Sequence, residues 1–183
     1  FIEAYFPLRI EKYETITDSG GPGLHRGGNG LSVAYRFLVD GHIGIHDDRW
    51  LTYPWGVNGG KPGNRSTKLL VRSDGTEEFI PAKCEGVKVQ KGDLLYFNTW
   101  GGGGWGNPLE RDPAHVISDV AKKLVSIDGA KRYGVVINDD LSLDEKGTKA
   151  LRSKMSKDSV KDELFNFGGT IEEIKSKSLE ETN

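Results

Sequence analysis

Asp18-Ser-Gly-Gly-Pro-Gly-Leu-His-Arg-Gly-Gly-Asn-Gly30 is the stretch of this chain that most constrains its fold. Six of these 13 residues are glycine, and the whole chain has 25 glycines among 183 residues. Glycine contributes no side-chain packing and costs conformational entropy, so such a stretch is used where backbones turn or approach closely. We favour tight turns that join two strands. A nest of free N–H groups that holds an anion, with Arg26 as an added donor, is the alternative.

Two further glycine segments follow, and neither has the context of a nucleotide site. Gly56-Val-Asn-Gly-Gly60 has three residues between its outer glycines, and Pro62 stands where a P-loop has Ser or Thr. Gly101-Gly-Gly-Gly-Trp-Gly106 matches G-x-G-x-x-G by letter, but Asn107-Pro108 separates it from the next predicted helix. We therefore expect a glycine-lined turn with packed indole rings, and any ATP must bind another chain.

Alternating apolar residues predict short β-strands before residue 110. Leu31–Val39 has apolar residues at every second position, and Asp40-Gly41 predicts a hairpin turn into His42–His46. The other predicted strands are Lys68–Arg72 and Glu77–Ile80, which form a second hairpin through Asp74-Gly75, and Val87–Val89 and Leu94–Phe97. Short strands at this spacing are typical of a barrel or a sandwich.

Helix start signals predominate after residue 110. Asp112 is a predicted N-cap with Pro113 at the first helical position, followed by an apolar stripe from Val116 to Leu124. Two capping boxes predict later helices, Ser142 with Glu145 for a helix to about Met155, and Thr170 with Glu173 before Ile171, Ile174 and Leu179. Between the first two helices, Tyr133–Ile137 is predicted as a short strand.

Together these patterns predict an α+β fold. A glycine-rich β-barrel or sandwich-like domain is expected over residues 1–110, and a helical C-terminal region over residues 111–183. The mixed charges of the last part of the chain are typical of a solvated surface, so we expect a docking arm there rather than a catalytic element.

Histidine, cysteine and carboxylate residues give no catalytic constellation. His46 and Asp48 lie on one side of a predicted strand and are candidates for a carboxylate–imidazole metal site. An ion pair with Arg49 is the favoured alternative, so no metal is assigned. Cys84, the single cysteine, is expected to pack, and no catalytic residue is assigned.

Composition narrows the functional classes. The formal net charge is −2, so the chain lacks the positive excess that nucleic-acid or membrane-surface binding requires. One cysteine fits a reducing compartment, and a cytoplasmic location is expected. The chain begins at Phe1, and Met155 is its only methionine, so we expect it to be one piece of a longer polypeptide.

Three segments, taken together and in order, resemble one protein family: Asp18-Ser-Gly-Gly-Pro-Gly with Arg26-Gly-Gly, Pro54-Trp-Gly-Val-Asn-Gly-Gly-Lys-Pro-Gly63, and Gly101-Gly-Gly-Gly-Trp-Gly-Asn-Pro-Leu109. On these motifs the chain resembles the C-terminal portion of the B-type component of the hydantoinase B/5-oxoprolinase family. The resemblance covers roughly residues 1–155. It does not extend to the terminal arm.

The resemblance implies a two-component, ATP-dependent enzyme that hydrolyses a cyclic amide such as a hydantoin, 5-oxoproline or another lactam. An A-type ATPase component would hold ATP and Mg and phosphorylate the amide oxygen, and the B-type component would act on the activated intermediate. A divalent metal would bind the N-terminal part of the B-type component, which this chain lacks. The expected partners are therefore the remainder of the B-type component, the A-type ATPase and a small-molecule substrate.

This chain alone is expected to be inactive. Part of a ketone carboxylase of the acetone or acetophenone type and a non-catalytic interaction module are the two alternatives. Residues in the glycine loops are the candidates for contact with substrate or phosphate: Asp18, Ser19, Arg26, Asn58 and Lys61. A structural role is expected for Gly20, Gly21, Gly23, Trp55, Gly59, Gly60, Trp100, Gly103 and Trp105.

Overall fold

All but one of the described strands lie before residue 99, and helices predominate after it. This arrangement is seen in a computed structural model that describes residues 1–158 and 164–180. A one-turn helix, α1 (Ile2–Tyr5), precedes the first strand. None of the described helices combines the length and the apolar composition needed to cross a lipid bilayer.

The largest sheet has five antiparallel strands. In spatial order they are β1 (Leu8–Thr15), β2 (Leu31–Phe37), β8 (Leu94–Asn98), β5 (Thr67–Val71) and β6 (Glu77–Phe79). The sheet is open, with β1 and β6 at its edges. The predicted α+β class is confirmed, and the strands do not close into a barrel.

A second, two-stranded sheet pairs β3 (Gly41–His46) with β7 (Lys83–Val89). The predicted hairpin between Leu31–Val39 and His42–His46 is therefore wrong. Both edges of β2 are already paired, one with β1 and the other with β8, so the chain leaves that sheet after Phe37. Asp40-Gly41 is a crossover between sheets rather than a hairpin turn.

Apolar side chains from the two sheets form one core. Its buried members are Phe37, Ile45, Leu70, Ile80, Val89 and Leu95. A buried ion pair joins the same sheets, because Lys68 on β5 contacts Asp47, which directly follows β3. The Lys68 Nζ also donates to the Ser66 Oγ at 3.0 Å.

The second predicted hairpin is confirmed, and three strands, of which β1 is the longest, were missed. β5 pairs with β6 through Asp74-Gly75, where Gly75 has a φ of +88°. β1 was not predicted. It is an edge strand held in part by Glu11, whose carboxylate accepts hydrogen bonds from Arg36 and Arg9 that lower its pKa to about 2.

The helical region begins as predicted at α2 (Pro113–Ala121). The Asp112 carboxylate accepts a hydrogen bond from the Ala114 N–H at 2.8 Å, which satisfies one of the free donors of the first turn. A second core forms around this helix from Val116, Val120, Val125, Ala130, Tyr133, Val135 and Ile137.

Two predictions in the helical region are corrected. Tyr133–Ile137 is not a strand, because a 3-10 turn (Gly129–Tyr133) ends at left-handed Gly134 and only Ile137 bridges Leu143. The helix α3 (Glu145–Asp158) is capped by Asp144, which accepts from the Gly147 N–H at 2.8 Å. Ser142, the predicted cap, bonds instead to Asp140 in the preceding turn.

The last described segment folds back onto the chain itself. β9 (Phe165–Asn166) pairs with β4 (Gly56–Val57), and α4 (Ile171–Glu180) follows it. The capping box of Thr170 and Glu173 is confirmed by reciprocal bonds of 2.8 and 3.2 Å. The side chain of Leu179 lies outside the described part.

Candidate functional site

The three glycine segments meet in one structure, which we call the glycine assembly (residues 18–30, 54–63 and 101–106). Backbone hydrogen bonds connect every pair of segments. The Gly21 N–H donates to Gly102 O at 2.8 Å, and the Lys61 N–H donates to Pro22 O at 2.7 Å. The Val57 N–H donates to Gly104 O at 2.9 Å. Each of the three quoted motifs is therefore part of a single bonded unit.

Close backbone packing explains why these positions are glycine. A Cβ built on Gly103 would lie 1.8 Å from Trp55 O, and one on Gly21 would lie 2.1 Å from Lys61 O. A Cβ on Gly60 would lie 2.1 Å from Gly104 O. Side-chain Cβ atoms essentially never come within 3.0 Å of such atoms, so a larger residue would push the segments apart.

The remaining glycines with an expected structural role divide into two kinds. Gly20 and Gly23 lie against backbone, with built Cβ atoms 2.3 Å from Gly27 O and 2.6 Å from Trp105 N. Gly59 has room around it but a φ of +87°, so it serves a turn that other residues rarely adopt.

The N–H groups that could form an anion nest are largely donated within the assembly. In the first segment, the N–H groups of Gly21, Leu24, His25 and Gly27 all bond to backbone oxygens. In the second, the Gly60 N–H donates to Val57 O at 3.0 Å, and the Lys61 N–H is used as described above. These N–H groups therefore serve the assembly itself and are not available to an anion.

Asp18 and Ser19 are engaged inside the protein. The Asp18 carboxylate accepts from the Ser126 N–H at 3.0 Å and pairs with Arg132, which attaches the helical region to the glycine assembly. Ser19 is 1% exposed. Its hydroxyl donates to Ile16 O at 2.6 Å and accepts from the Gly30 N–H at 2.9 Å.

Arg26 belongs to a partly buried polar junction with the helical region. Its Nη1 donates to Gly27 O at 2.6 Å and to Asn29 Oδ1 at 2.9 Å. Asp119 on α2 lies 3.4 Å from the Arg26 Nε and accepts from the Arg111 Nη2 at 2.9 Å. One buried carboxylate thus neutralises two guanidinium groups where the two regions meet.

Asn58 and Lys61 are the two candidate contact residues whose side chains are exposed. Asn58 has a φ of +50°, and its N–H donates to Leu164 O at 2.9 Å, so β9 covers the backbone beside it. The structure does not bring all five candidates to one open surface. Contact with substrate or phosphate stays a prediction for each of them.

Aromatic side chains form an exposed face on the glycine assembly. His25 pairs with Trp105, Trp105 with Val57, and Val57 with Phe165 across neighbouring strands. Paired residues point to the same side, so these four side chains form one row. Trp55 lies two positions before Val57, and Phe167 lies two positions after Phe165, so both are on the same side as this row. Their ring centroids are 6.0 Å apart. We call this surface the aromatic face (His25, Trp55, Val57, Trp105, Phe165 and Phe167).

Sequence reasoning predicted packing for the tryptophans, whereas Trp55 is 38% exposed, Trp100 40% and Trp105 46%. It missed Phe165 and Phe167 because they lie in a charged segment without an apolar period. The one signal that the sequence offered was the spacing of two aromatic residues by two positions, which places them on one side of a strand.

The two metal candidates, His46 and Asp48, each contact one side chain of β7. His46 contacts Glu85, and Asp48 lies 3.6 Å from the Lys83 Nζ. No cluster of three or more His, Cys, Asp or Glu residues that could hold a metal occurs within residues 1–158 and 164–180. The described part of the structure therefore does not bring His46 and Asp48 together with further ligands. Cys84 is half-buried, with its Sγ 3.3 Å from Pro81 O.

Comparison with known protein families gives one match over the first part of the chain. Residues 1–108 match the model described as hydantoinase B/oxoprolinase. The B-type subunit of the putative D-/L-hydantoinase of Pseudomonas sp. strain NS671 is 35% identical over 154 residues, which is 82% of this chain and 26% of the relative.

The beta subunit of the caprolactamase of Pseudomonas jessenii is 37% identical over 159 residues, or 83% of this chain and 27% of the relative. The crystal structure of the ATP-dependent caprolactamase from the same organism superposes with a TM-score of 0.68 and 33% identity, covering 82% of this chain and 27% of that one. A nucleotide-free acetone carboxylase superposes with a TM-score of 0.67 at 23% identity, over 86% and 26% of the two chains, which shows the fold alone. The chain spans about a quarter of the length of these proteins.

Proposed function

Because the chain belongs to the hydantoinase B/oxoprolinase family, we propose that it is part of the B-type component of an ATP-dependent enzyme that hydrolyses a cyclic amide. The likeness to the caprolactamase carries this proposal, because the sequence match and the structural superposition each cover more than four-fifths of this chain. The hydantoinase relative supports the same class of substrate.

The proposal assigns energy input to a partner. A cyclic amide is stabilised by resonance, and phosphorylation of its oxygen removes that protection. This step needs a nucleotide site. The Gly56–Pro62 segment lacks the P-loop Ser or Thr, and the N–H groups of Val57, Gly60 and Lys61 donate to oxygens of the glycine assembly. We therefore assign ATP and Mg to an A-type component, and any divalent metal to the remainder of the B-type component.

In this division the chain provides a scaffold and one wall of the substrate pocket. Support comes from the glycine assembly, whose backbones pack too closely for side chains, and from the exposed Lys61 and Asn58 at its surface. Lys61 is the best placed of the five candidates to contact an anionic intermediate, because its ammonium group is exposed and forms no ion pair within the described residues. A cytoplasmic location, which the lone Cys84 supports, is part of the same proposal.

The test is an activity assay on the chain with and without the other components. We expect ATP-dependent ring opening of caprolactam, a hydantoin or 5-oxoproline only when the remaining B-type and A-type components are present. Turnover by the purified chain alone would contradict the division of roles. Carboxylation of a ketone with ATP and bicarbonate, in place of ring opening, would establish the alternative reaction. No turnover in any combination would favour an interaction module.

A variant pair tests the role of Lys61. Lys61→Ala is expected to lower kcat/KM of the assembled enzyme at least tenfold and to change its melting temperature by less than about 2 °C. Lys88→Ala, which removes an exposed lysine from β7 in the other sheet, is the matched control and should leave both unchanged. Equal effects of the two substitutions on kcat/KM would contradict the proposed place of Lys61 in the substrate pocket.

A further inference from the structure

The aromatic face leaves a large part of its ring surface exposed to water. Phe165 is 44% exposed and Phe167 is 54% exposed, in addition to the two tryptophans of the face. A buried aromatic side chain covers about 150–250 Å², so these four rings leave roughly 350 Å² of aromatic surface in contact with water. The largest exposed apolar patch of a typical monomer covers about 300–600 Å² and is often functional.

The backbone that carries the rings is held in position before any partner binds. The Trp105 N–H donates to His25 O and the His25 N–H to Trp105 O, both at 2.9 Å. The Gly106 N–H donates to Val57 O at 3.0 Å, which fixes the neighbouring strand. Because the backbone under the face is bonded on both sides, little backbone entropy remains to be lost when the rings are covered.

The length of the relatives indicates which polypeptide covers the aromatic face. About three-quarters of each relative lies outside the part that this chain matches. An interface between two such pieces typically buries about 800 Å² on each side, with aromatic residues in its centre and polar groups around them. The aromatic face has the area and composition of such a centre.

We propose that the remainder of the B-type component packs on the aromatic face. This inference rests on the proposed function. Arg49 lies at the border of the face, its guanidinium 4.3 Å from the Trp55 ring centroid, and it forms no ion pair with a carboxylate in residues 1–158 and 164–180. The partner surface is therefore apolar and carries a carboxylate at its edge that pairs with Arg49.

Oxidative footprinting read by mass spectrometry tests the proposal on the unmodified protein. Hydroxyl radicals should oxidise Trp55 and Trp105 in the isolated chain, and assembly with the remaining B-type component should lower both rates at least fivefold. Phe79, 55% exposed on β6, is the internal control and should not change. Equal oxidation of the indoles in both samples would overturn the proposal. Protection in the isolated chain at high concentration would assign the face to a second copy and also overturn it.

Substitutions supply a second measurement. Phe165→Ser and Trp105→Ser are expected to weaken binding of the remaining B-type component at least tenfold, as central aromatic residues do. Phe79→Ser is the matched control and should bind normally. Indole oxidation tests this inference, and ATP-dependent ring opening tests the proposed function. If the indoles stay exposed in an assembly that opens lactams, the aromatic face is not the interface, although the proposed function holds. Protected indoles in an assembly without ATP-dependent activity would support the face and contradict the function.

Discussion

Replacement of one glycine gives the sharpest test of the packing in the glycine assembly. In Gly103→Ala the new Cβ would lie 1.8 Å from Trp55 O, whereas real contacts of this kind stay beyond 3.0 Å. The two segments would have to separate by at least about 1.2 Å. That movement affects the neighbouring bonds from the Val57 N–H to Gly104 O and from the Gly104 N–H to Lys61 O, each 2.9 Å long.

The expected loss of stability follows from these contacts. Overpacking of a close-packed site costs about 1–3 kcal/mol, and each weakened hydrogen bond costs about 1 kcal/mol. We therefore expect Gly103→Ala to lower the free energy of unfolding by about 4 kcal/mol. For a chain of this length such a loss corresponds to a decrease in melting temperature of about 10 °C.

Gly28→Ala is the matched control, because Gly28 lies in the same assembly with no atom of the described residues within 4 Å of its built Cβ. Alanine there should change the free energy of unfolding by less than about 1 kcal/mol. Urea unfolding followed by tryptophan fluorescence and by circular dichroism measures both variants. A loss below about 1 kcal/mol in Gly103→Ala, or equal losses in the two variants, would refute the close-packing argument.

Three further predictions are tested by the same unfolding assay. Lys68→Met leaves the buried Asp47 carboxylate without its partner and should cost about 3–5 kcal/mol, much of which the added substitution Asp47→Leu should restore. Asp119→Asn removes the charge shared by two arginines and should cost about 2–3 kcal/mol, whereas Asp128→Asn, in a surface pair, should have a far smaller effect. Asp144→Ala removes the cap of α3 and should cost about 1 kcal/mol; an unchanged midpoint would place the cap elsewhere.

Local features were the ones that the sequence predicted well. The Asp112 cap, the Thr170–Glu173 capping box and the hairpin through Asp74-Gly75 were all found as expected. Each depends on backbone angles and hydrogen bonds within a few residues, so the residues that specify it are adjacent in the chain. The order of the three glycine motifs likewise indicated the family correctly.

Features that depend on competition between distant residues were predicted less well. Asp40-Gly41 has the composition of a hairpin turn, but β2 gains more from pairing with β1 and β8 than from pairing with the strand that follows it. Ser142 was an acceptable cap by composition, yet Asp144 took that position because the preceding turn uses the Ser142 hydroxyl.

Sequence alone was sufficient for the turn at Asp74-Gly75 and for the starts of the helices after Asp112 and Thr170. Contacts between distant segments, in contrast, join Asp18 and Arg26 to the helical region and place Phe165 in one row with Trp105. The physical reason is the range of the interactions. Turn and cap preferences act over a few residues, whereas strand pairing and burial of charge depend on which distant segments exclude water together.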